Sequence, residues 1–388
     1  YFFETIMLFN PKTKQFSKIE NIDNPEYAYS KKIKNMNRNL LPFIKNNRVL
    51  YKFLLLIFVL QSIKSQAQMN MMTPARLQKG DTIAILATAR KNIDDNLKPA
   101  LDLLHSWGLE AVIGSSIGLD DNQLAGTDAQ RAADFQAQLD NPNIKAIWCV
   151  RGGYGTVKII DNLDFTKFKQ NPKWVVGFSD VTVLHSHLNR MGFQSIHGIM
   201  PVSVARATDE AKNSLCTALF GDKLEYELDC DALNHVGKAK GELVGGNLSI
   251  LYSLLGSESA IDCEDKILFI EDLDEYMYHI DRMMMNLKRN GCLSSLKGII
   301  VGGMTDMHDN EIPFGKTAEE ILLDCVSEYD FPVVFNFPVR VESIVETIVS
   351  AGVLHSPILQ NCVEMRSSVF SFLTDPVYIL STAACYCF

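Results

Sequence analysis

Trp174-Val175-Val176-Gly177 is a Val-rich apolar run that ends in a small residue, and a helical pattern begins at Val181 with only Phe178-Ser179-Asp180 between them. A buried strand that feeds a helix this directly must turn sharply, and Ser179 sits on the turn. Junctions of this kind belong to parallel sheets, where the chain leaves the carboxyl edge of a strand and returns through a helix. A serine placed there projects its hydroxyl from the sheet edge. The backbone N–H of Asp180, in the first helical turn, then faces the position of an oxyanion formed at that serine. This is the layout of a nucleophile elbow, although the sequence is not G-x-S-x-G. The competing reading is a serine that only caps the following helix, and local pattern alone leaves both open.

The surrounding pattern repeats the strand–helix alternation. Residues 82–87 read as a buried strand after a Gly-Asp turn, and 94–107 have helical spacing, with Leu97, Leu101 and Leu104 on one face and Gly108 as the stop. A strand at 110–113, an amphipathic helix at 128–139, a strand at 144–150, a short helix near 157–160 and a helix over 181–190 follow. The expected fold is α/β, with a Rossmann-like parallel sheet in the amino-terminal domain. Ligands bind such sheets at the carboxyl ends of the strands. Arg151-Gly152-Gly153-Tyr154-Gly155 falls at that edge, as Ser179 does. The turn is not G-x-G-x-x-G, and no Lys-Ser or Lys-Thr follows it, so neither dinucleotide nor P-loop binding is supported. Three glycines let backbone N–H groups approach a ligand, and Arg151 suits a two-pronged contact with a carboxylate. Arg151, Gly152, Gly153 and Tyr154 are therefore candidate substrate contacts. The alternative is that Arg151 braces the turn.

A net charge of −9 leaves no basic stripe for phosphates, so no nucleic-acid partner is expected. The nine cysteines form no C-x-x-C and no Cys/His ligand spacing, which argues against a structural zinc. No metal and no cofactor are expected. Cys149, Cys216, Cys230, Cys263, Cys292 and Cys325 read as buried free thiols. Upstream, Met36 reads as an initiator. It is followed by Arg38, Lys45, Arg48 and Lys52, the apolar run 53–60, and a small-x-small site at Ser65-Gln66-Ala67. These are the parts of a secretory signal peptide, and the apolar run is too short to span a bilayer. Export across the inner membrane to the periplasm is the expected localisation, without stable membrane insertion.

A second region starts near residue 236. Short strands are expected at 224–229 and 236–243, a helix from Gly245-Gly246-Asn247 through Leu255, and a buried strand at 266–270. A helix over 278–289, with Ile280, Met283, Met284 and Leu287 inward, and strands at 296–301 and 333–335 complete a smaller α/β domain with a mixed sheet. Glu271 follows the 266–270 strand directly, so it stands at the sheet edge, where a carboxylate can orient a histidine. Its neighbours Asp272, Asp274 and Glu275 support the alternative of a solvated acidic cap on the next helix.

Taken together, Arg151-Gly152-Gly153-Tyr154-Gly155, Gly177-Phe178-Ser179-Asp180, His197-Gly198-x-x-Pro201, the run from Gly241 to Leu248, and Phe269-Ile270-Glu271-Asp272 followed by Tyr278-x-x-Asp281-Arg282 resemble the LD-carboxypeptidases, serine peptidase family S66, in motif order. The resemblance covers about residues 76–338. It implies a Ser-Glu-His hydrolase that cuts an L-to-D bond and removes the terminal D-alanine from murein tetrapeptides. Ser179 would be the nucleophile and Glu271 the partner of the histidine, with Asp180 and the Gly152-Gly153 turn supplying oxyanion and substrate contacts. The alternatives are an amide hydrolase like the microcin-immunity branch of the same family, or a murein-peptide binding protein without turnover. A homodimer is the assembly allowed for. The domains implied are an upstream segment with signal peptide at 1–67, a nucleophile domain at 76–201, a linker at 202–235, a carboxy-terminal domain at 236–338 and an anomalous tail at 339–388.

The departure lies after Pro338. The family pattern continues with Gly and the catalytic His, whereas this chain reads Val339-Arg340-Val341-Glu342 and carries only His355 beyond that point. Back-translation from the third base of the Val339 codon allows Ala-Gly, a nearby His and Asp-Asn. A shifted reading frame near Pro338 is therefore the working hypothesis. The tail, with no pattern that continues the fold, is expected to pack poorly.

Overall fold

The computed structural model describes residues 7–10, 15–18, 71–92, 97–222, 224–229, 231–235, 237–338, 348–350, 353–354, 367–373 and 377–381. The chain forms two compact units, residues 1–70 and 71–388. In the first, β1 (Met7–Asn10) and β2 (Gln15–Lys18) pair antiparallel. The proposed signal segment lies outside the described residues. No helix among the described residues is long and apolar enough to cross a membrane.

The second unit is built on a parallel sheet. Its strands are β3 (Thr82–Leu86), β4 (Glu110–Ile113), β5 (Ile144–Cys149), β6 (Trp174–Gly177) and β7 (Ser195–His197), in the spatial order β7-β6-β5-β3-β4. Helices α1 (Lys98–Ser106), α2 (Asp128–Asp140), α3 (Thr166–Gln170) and α4 (Thr182–Arg190) connect them. The inner strands are apolar on both faces because helices cover both. All four residues of β6 are buried, whereas the edge strand β4 leaves Val112 and Ile113 exposed. The order reverses between β3 and β5, and the crevice at that switch point is where such sheets bind ligands. The helix expected over 94–107 is α1, preceded by residues outside the description. The short helix expected near 157–160 is two 3₁₀ turns, Thr156–Lys158 and Ile160–Asn162.

The stretch read as a linker carries α5 (Asp209–Phe220) and β8 (Leu224–Asp229). Ala211, Leu215, Ala218, Leu219 and Leu224 enter the first core. Beyond β9 (Gly237–Gly241), a second sheet is parallel throughout rather than mixed as expected, because a helical crossover returns the chain between its successive strands. It comprises β10 (Leu243–Asn247), β11 (Ile267–Leu273), β12 (Gly298–Thr305) and β13 (Val333–Val334). Its helices are α6 (Leu248–Leu254), α7 (Met277–Arg289), α8 (Cys292–Ser295) and α9 (Ala318–Val326). Period-two alternation divides β11 between two cores. Ile267 and Phe269 pack with the first sheet, while Leu268 and Ile270 pack with α7 and α9 residues such as Met283, Met284 and Leu322.

Two further expectations are corrected. Cys263 and Cys292 are not free thiols but a disulfide, with Cα atoms 5.2 Å apart. The fold brings the loop before β11 against the start of α8, within ordinary bridging distance. Cys149, Cys216 and Cys325 are free, and Cys230 lies outside the described residues. The tail also contains strands: β14 (Ile348–Ser350), β15 (Val353–Leu354), β16 (Ser367–Leu373) and β17 (Val377–Ser381). β14 adds antiparallel to β7, β16 pairs β8, and β17 pairs β9. Val369, Phe370 and Phe372 are β-branched or aromatic and favour a strand, although the stretch shows no strict polar–apolar alternation.

Candidate active site

Ser179 is held in the left-handed region, at φ +60, in a 3₁₀ turn Ser179–Val181 that leads into α4. A non-glycine residue in this conformation is strained, and such strain concentrates where side-chain placement matters. Neither the 3₁₀ turn nor α4 has a side-chain cap, and among the described residues the Ser179 hydroxyl makes no hydrogen bond. The helix-cap reading therefore fails, and the elbow remains.

The Gly-rich turn closes against this serine. A Cβ built on Gly152 would lie 2.9 Å from both Cβ and Oγ of Ser179 and 3.3 Å from the backbone nitrogen of Asp180. Only a glycine permits that approach, so the Gly152 backbone and the Asp180 N–H border the same small volume as the Ser179 hydroxyl. The Asp180 side chain faces elsewhere. It is buried, and its Oδ2 accepts from the Thr156 N–H at 2.8 Å, which ties the elbow to the turn that follows Gly155. Burial pushes its carboxyl above the usual range. Asp180 thus contributes its backbone to the site and its carboxylate to the scaffold. Arg151 is half-buried, and its Nη1 donates to the carbonyl of Lys91 at 3.0 Å, across the β3/β5 switch point. Tyr154 is exposed at the rim.

Glu271 does not follow its strand but lies inside it, on the Ile267–Phe269 side by alternation. It is 1% exposed, as is Asp272, so the solvated-cap reading is overturned for both. Asp272 is fully engaged: Oδ1 accepts from Asn247 Nδ2 at 2.9 Å and Oδ2 from the Ser249 N–H at 2.8 Å. One N–H of the Asn247 amide is thereby engaged; the amide lies close enough to Glu271 to offset part of its rise, yet neither carboxyl oxygen of Glu271 has a partner at hydrogen-bond geometry among the described residues. Burial, with the Asp272 charge beside it, pushes Glu271 up to about 8, and burial, with the Glu275 charge nearby, pushes Asp272 up to about 6. Asn247 and Asp272 were missed as site-forming residues. The available signal was an Asn between a glycine pair and a helical run.

The two carboxyl edges meet at this point. The Asn247 N–H donates to Thr182 Oγ1 at 3.0 Å, and a Cβ on Gly246 would fall 2.6 Å from that same oxygen. β10 therefore abuts the first turn of α4, three residues from Ser179. His197, at the end of β7, stacks edge-on against Phe269 with ring centroids 5.1 Å apart. Among the described residues its ring nitrogens have no hydrogen-bond partner, and burial holds it well below the usual imidazole range. His185 is committed to Ser195 and to the Gly177 carbonyl, His187 to Ser259, His279 to Glu275 and His308 to Asp274. Residues 339–347 and His355 lie outside the described residues. Ser179, the Gly152 backbone and Asp180 are thus brought together, with Glu271 buried behind the second edge. Among the described residues no group of three or more His, Cys, Asp or Glu is placed to hold a metal.

Both halves of the chain are similar to known proteins. Residues 83–198 match the profile of the LD-carboxypeptidase N-terminal domain, and residues 240–340 match that of the LD-carboxypeptidase C-terminal domain. The chain is 35% identical over 277 residues to a probable murein peptide carboxypeptidase of Bacillus subtilis, covering 69% of this chain and 85% of that one. It is 30% identical to a murein tetrapeptide carboxypeptidase of Pseudomonas aeruginosa, covering 66% and 86% respectively. The solved structure of a muramoyltetrapeptide carboxypeptidase from Oxalobacter formigenes superposes with a TM-score of 0.65 at 25% identity, over 75% of this chain and 98% of that one.

Proposed function

This chain belongs to the LD-carboxypeptidase family, and from that premise we propose that it is a serine hydrolase that releases the terminal D-alanine of murein tetrapeptides by cutting an L-to-D peptide bond. The observation that carries the reading is the pairing of Ser179, strained on its elbow with an uncommitted hydroxyl, with Glu271, buried and unpartnered on the facing edge. Ser179 attacks the scissile carbonyl, and the N–H groups of Asp180 and the Gly152-Gly153 turn receive the oxyanion. Glu271 is the carboxylate that orients the neutral imidazole acting as base on Ser179 and stabilises the imidazolium formed once it has taken that proton. Arg151 and Tyr154 border the substrate on the switch-point side. The upstream basic-apolar-small pattern supports export, so the substrate would be met in the periplasm.

The test is D-alanine release from the tetrapeptide, with an all-L analogue as control. Because no Gly-His follows Pro338, release is measured for the chain alone, with imidazole added, and for a frame-corrected version. D-alanine release from the L-to-D substrate that is lost in Ser179→Ala supports the reading. Tetrapeptide binding without release under all three conditions would make this a binding protein instead.

A further inference from the structure

Arg90, Lys91 and Arg151 stand where the chain leaves β3 and β5, on the ligand-binding edge of the sheet. Lys91 Nζ pairs with Asp120 at 2.5 Å, and Arg151 Nη1 donates to the Lys91 carbonyl at 3.0 Å. Arg151 thereby ties the Gly-rich turn to the segment after β3. Arg90 is exposed, and among the described residues no carboxylate pairs with it. Its partner is neutral: the Gln123 amide, with its oxygen turned toward Arg90, accepts from Nε at 2.9 Å and from Nη2 at 3.2 Å. The backbone around Arg90 is held in place. Arg90 bridges antiparallel to Leu124, the Lys91 N–H donates to the Gln123 carbonyl at 3.1 Å, and the Ala125 N–H donates to the Ala89 carbonyl at 3.0 Å. The Arg90 stem lies over Gly153, which is at φ +113, and a Cβ built on that glycine would fall 2.5 Å from Arg90 Cγ. Its neighbour Gly152 meets Ser179 in the same way, with a built Cβ 2.9 Å from Oγ. Adjacent glycines of one turn therefore carry the candidate nucleophile on one side and a guanidinium without a counter-charge on the other.

We infer that Arg90 is the receptor for the carboxylate at the end of the substrate, the role that residue type and position suggest for Arg151. The inference rests on the proposed function and names the residue that makes this site select a chain end. Charge is the first reason. A guanidinium bound only to an amide keeps its full charge, and its planar fork matches a carboxylate with two parallel hydrogen bonds. Gln123 fixes the plane of the fork without neutralising it, so less ordering opposes the ligand. Distance is the second. Successive Cα atoms are about 3.8 Å apart and a Cα–Cβ bond is about 1.5 Å long, so Arg90 Cγ lies at most about 12 Å from Ser179 Oγ. The released residue spans about 3.6 Å, the attack distance adds roughly 3 Å, and a carboxylate–guanidinium contact adds about 2.8 Å. A cation that meets the terminal carboxylate therefore belongs about 9–10 Å from Ser179 Oγ, inside the limit that the two glycines set. Arg90 acts here on specificity and takes no part in the bond cleavage. A tetrapeptide can carry a second carboxylate on the side chain of its third residue, and the experiment separates that source from the chain end.

The experiment is equilibrium binding of four probes. They are a tetrapeptide with lysine as its third residue, the C-terminal amide of that peptide, an amidated tetrapeptide with a diamino-diacid third residue, and N-acetyl-D-alanine. Each is measured on the unmodified chain, on Arg90→Met, on Arg90→Lys and on Arg151→Met. Methionine keeps an apolar stem over Gly153 and removes the charge. The unmodified chain should bind the free-acid peptide about tenfold to a hundredfold more tightly than its amide. That preference should vanish in Arg90→Met, with amide affinity unchanged within about twofold, and return in part in Arg90→Lys, which restores the charge without the two-pronged geometry. Equal affinities for acid and amide on the unmodified chain would overturn the inference, as would a preference that survives Arg90→Met or is lost only in Arg151→Met. Equal weakening of acid and amide in Arg90→Met would also overturn it and make Arg90 a structural residue. Arg90-dependent binding that follows the third-residue carboxylate instead of the chain end would overturn it too. Arg90-dependent binding of N-acetyl-D-alanine, with neither tetrapeptide bound, would sustain the receptor and remove the murein reading, whereas binding of none of the probes would remove both.

Discussion

Replacing Ser179 by glycine and by alanine separates the backbone cost of the elbow from its chemistry. At φ +60 a residue with a Cβ meets a penalty of roughly 1–2 kcal/mol that glycine escapes. Glycine gives back about 0.5–1 kcal/mol through the greater freedom of the unfolded chain. Ser179→Ala keeps the strain and removes only the hydroxyl. Ser179→Gly should therefore be more stable than Ser179→Ala by about 0.5–1 kcal/mol, while both lose turnover. The sign matters more than the size, because at an ordinary helical position glycine is about 1 kcal/mol worse than alanine. Urea unfolding at fixed pH, followed by far-UV circular dichroism and compared through midpoints at equal slope, reads the difference. If the glycine variant proves the less stable of the two, Ser179 is not strained and the elbow carries no stored backbone energy.

Further perturbations probe the rest of the site. Gly152→Ala places a methyl 2.9 Å from Ser179 Cβ and Oγ, so it should cost about 1–3 kcal/mol of stability and displace the Ser179 hydroxyl; unchanged stability and tetrapeptide affinity would show that the turn does not touch the serine. Glu271 is raised from 4.5 to about 8 and Asp272 from 3.8 to about 6, so both hold stability that is full at low pH and lost as pH rises. Glu271→Gln should therefore stop losing stability near pH 6 where the unmodified chain continues to fall toward pH 8, and parallel urea midpoints between pH 5 and 9 would contradict the burial of an unpartnered carboxyl. The Cys263–Cys292 bridge closes a loop of sequence separation 29. Loop-closure entropy then gives about 3–4 kcal/mol as the stabilisation lost in Cys263→Ala. Thiol titration that finds both cysteines free after purification without reductant would refute the bridge.

How far the sequence discloses the site depends on whether local pattern or tertiary packing decides each residue. The β6–Ser179–α4 junction is readable because an apolar run stopping at Gly177 and a helix starting at once leave the backbone one solution. The parallel sheet is readable for the same reason, since its inner strands are continuously apolar. Glu271 and Asp272 are harder. Two adjacent carboxylates signal solvent, and nothing nearby shows that Asn247 and the Ser249 N–H will take up Asp272. The Cys263–Cys292 bridge is invisible for a similar reason: its partners are set by how α8 folds back on the loop before β11. Residues 202–235 read as a connection because α5 has weak amphipathic contrast, yet Leu215 and Leu219 are buried in the first core.

The anomaly after Pro338 and the state of Glu271 bear on one another, although they come from different observations. A buried carboxylate without a hydrogen-bond partner costs several kcal/mol in its charged form, which is why Glu271 is pushed toward the neutral acid. A fold keeps such a group where a cation or donor belongs beside it. The resemblance places a histidine at the position this sequence fills with Val339-Arg340-Val341, immediately after Phe337, whose ring is fully buried in the first core. A histidine at Glu271 would reverse the sign of the shift, its cationic form stabilising the carboxylate and its neutral form, oriented by that carboxylate, taking the Ser179 proton. A reading frame displaced near Pro338 accounts for both the missing Gly-His and the unpartnered carboxylate. The nucleotide sequence across codons 335–350 decides it. A frame-corrected chain should release D-alanine and lose the alkaline fall in stability assigned to Glu271. If the corrected chain keeps that fall, the histidine does not meet Glu271, and the carboxylate has some other role.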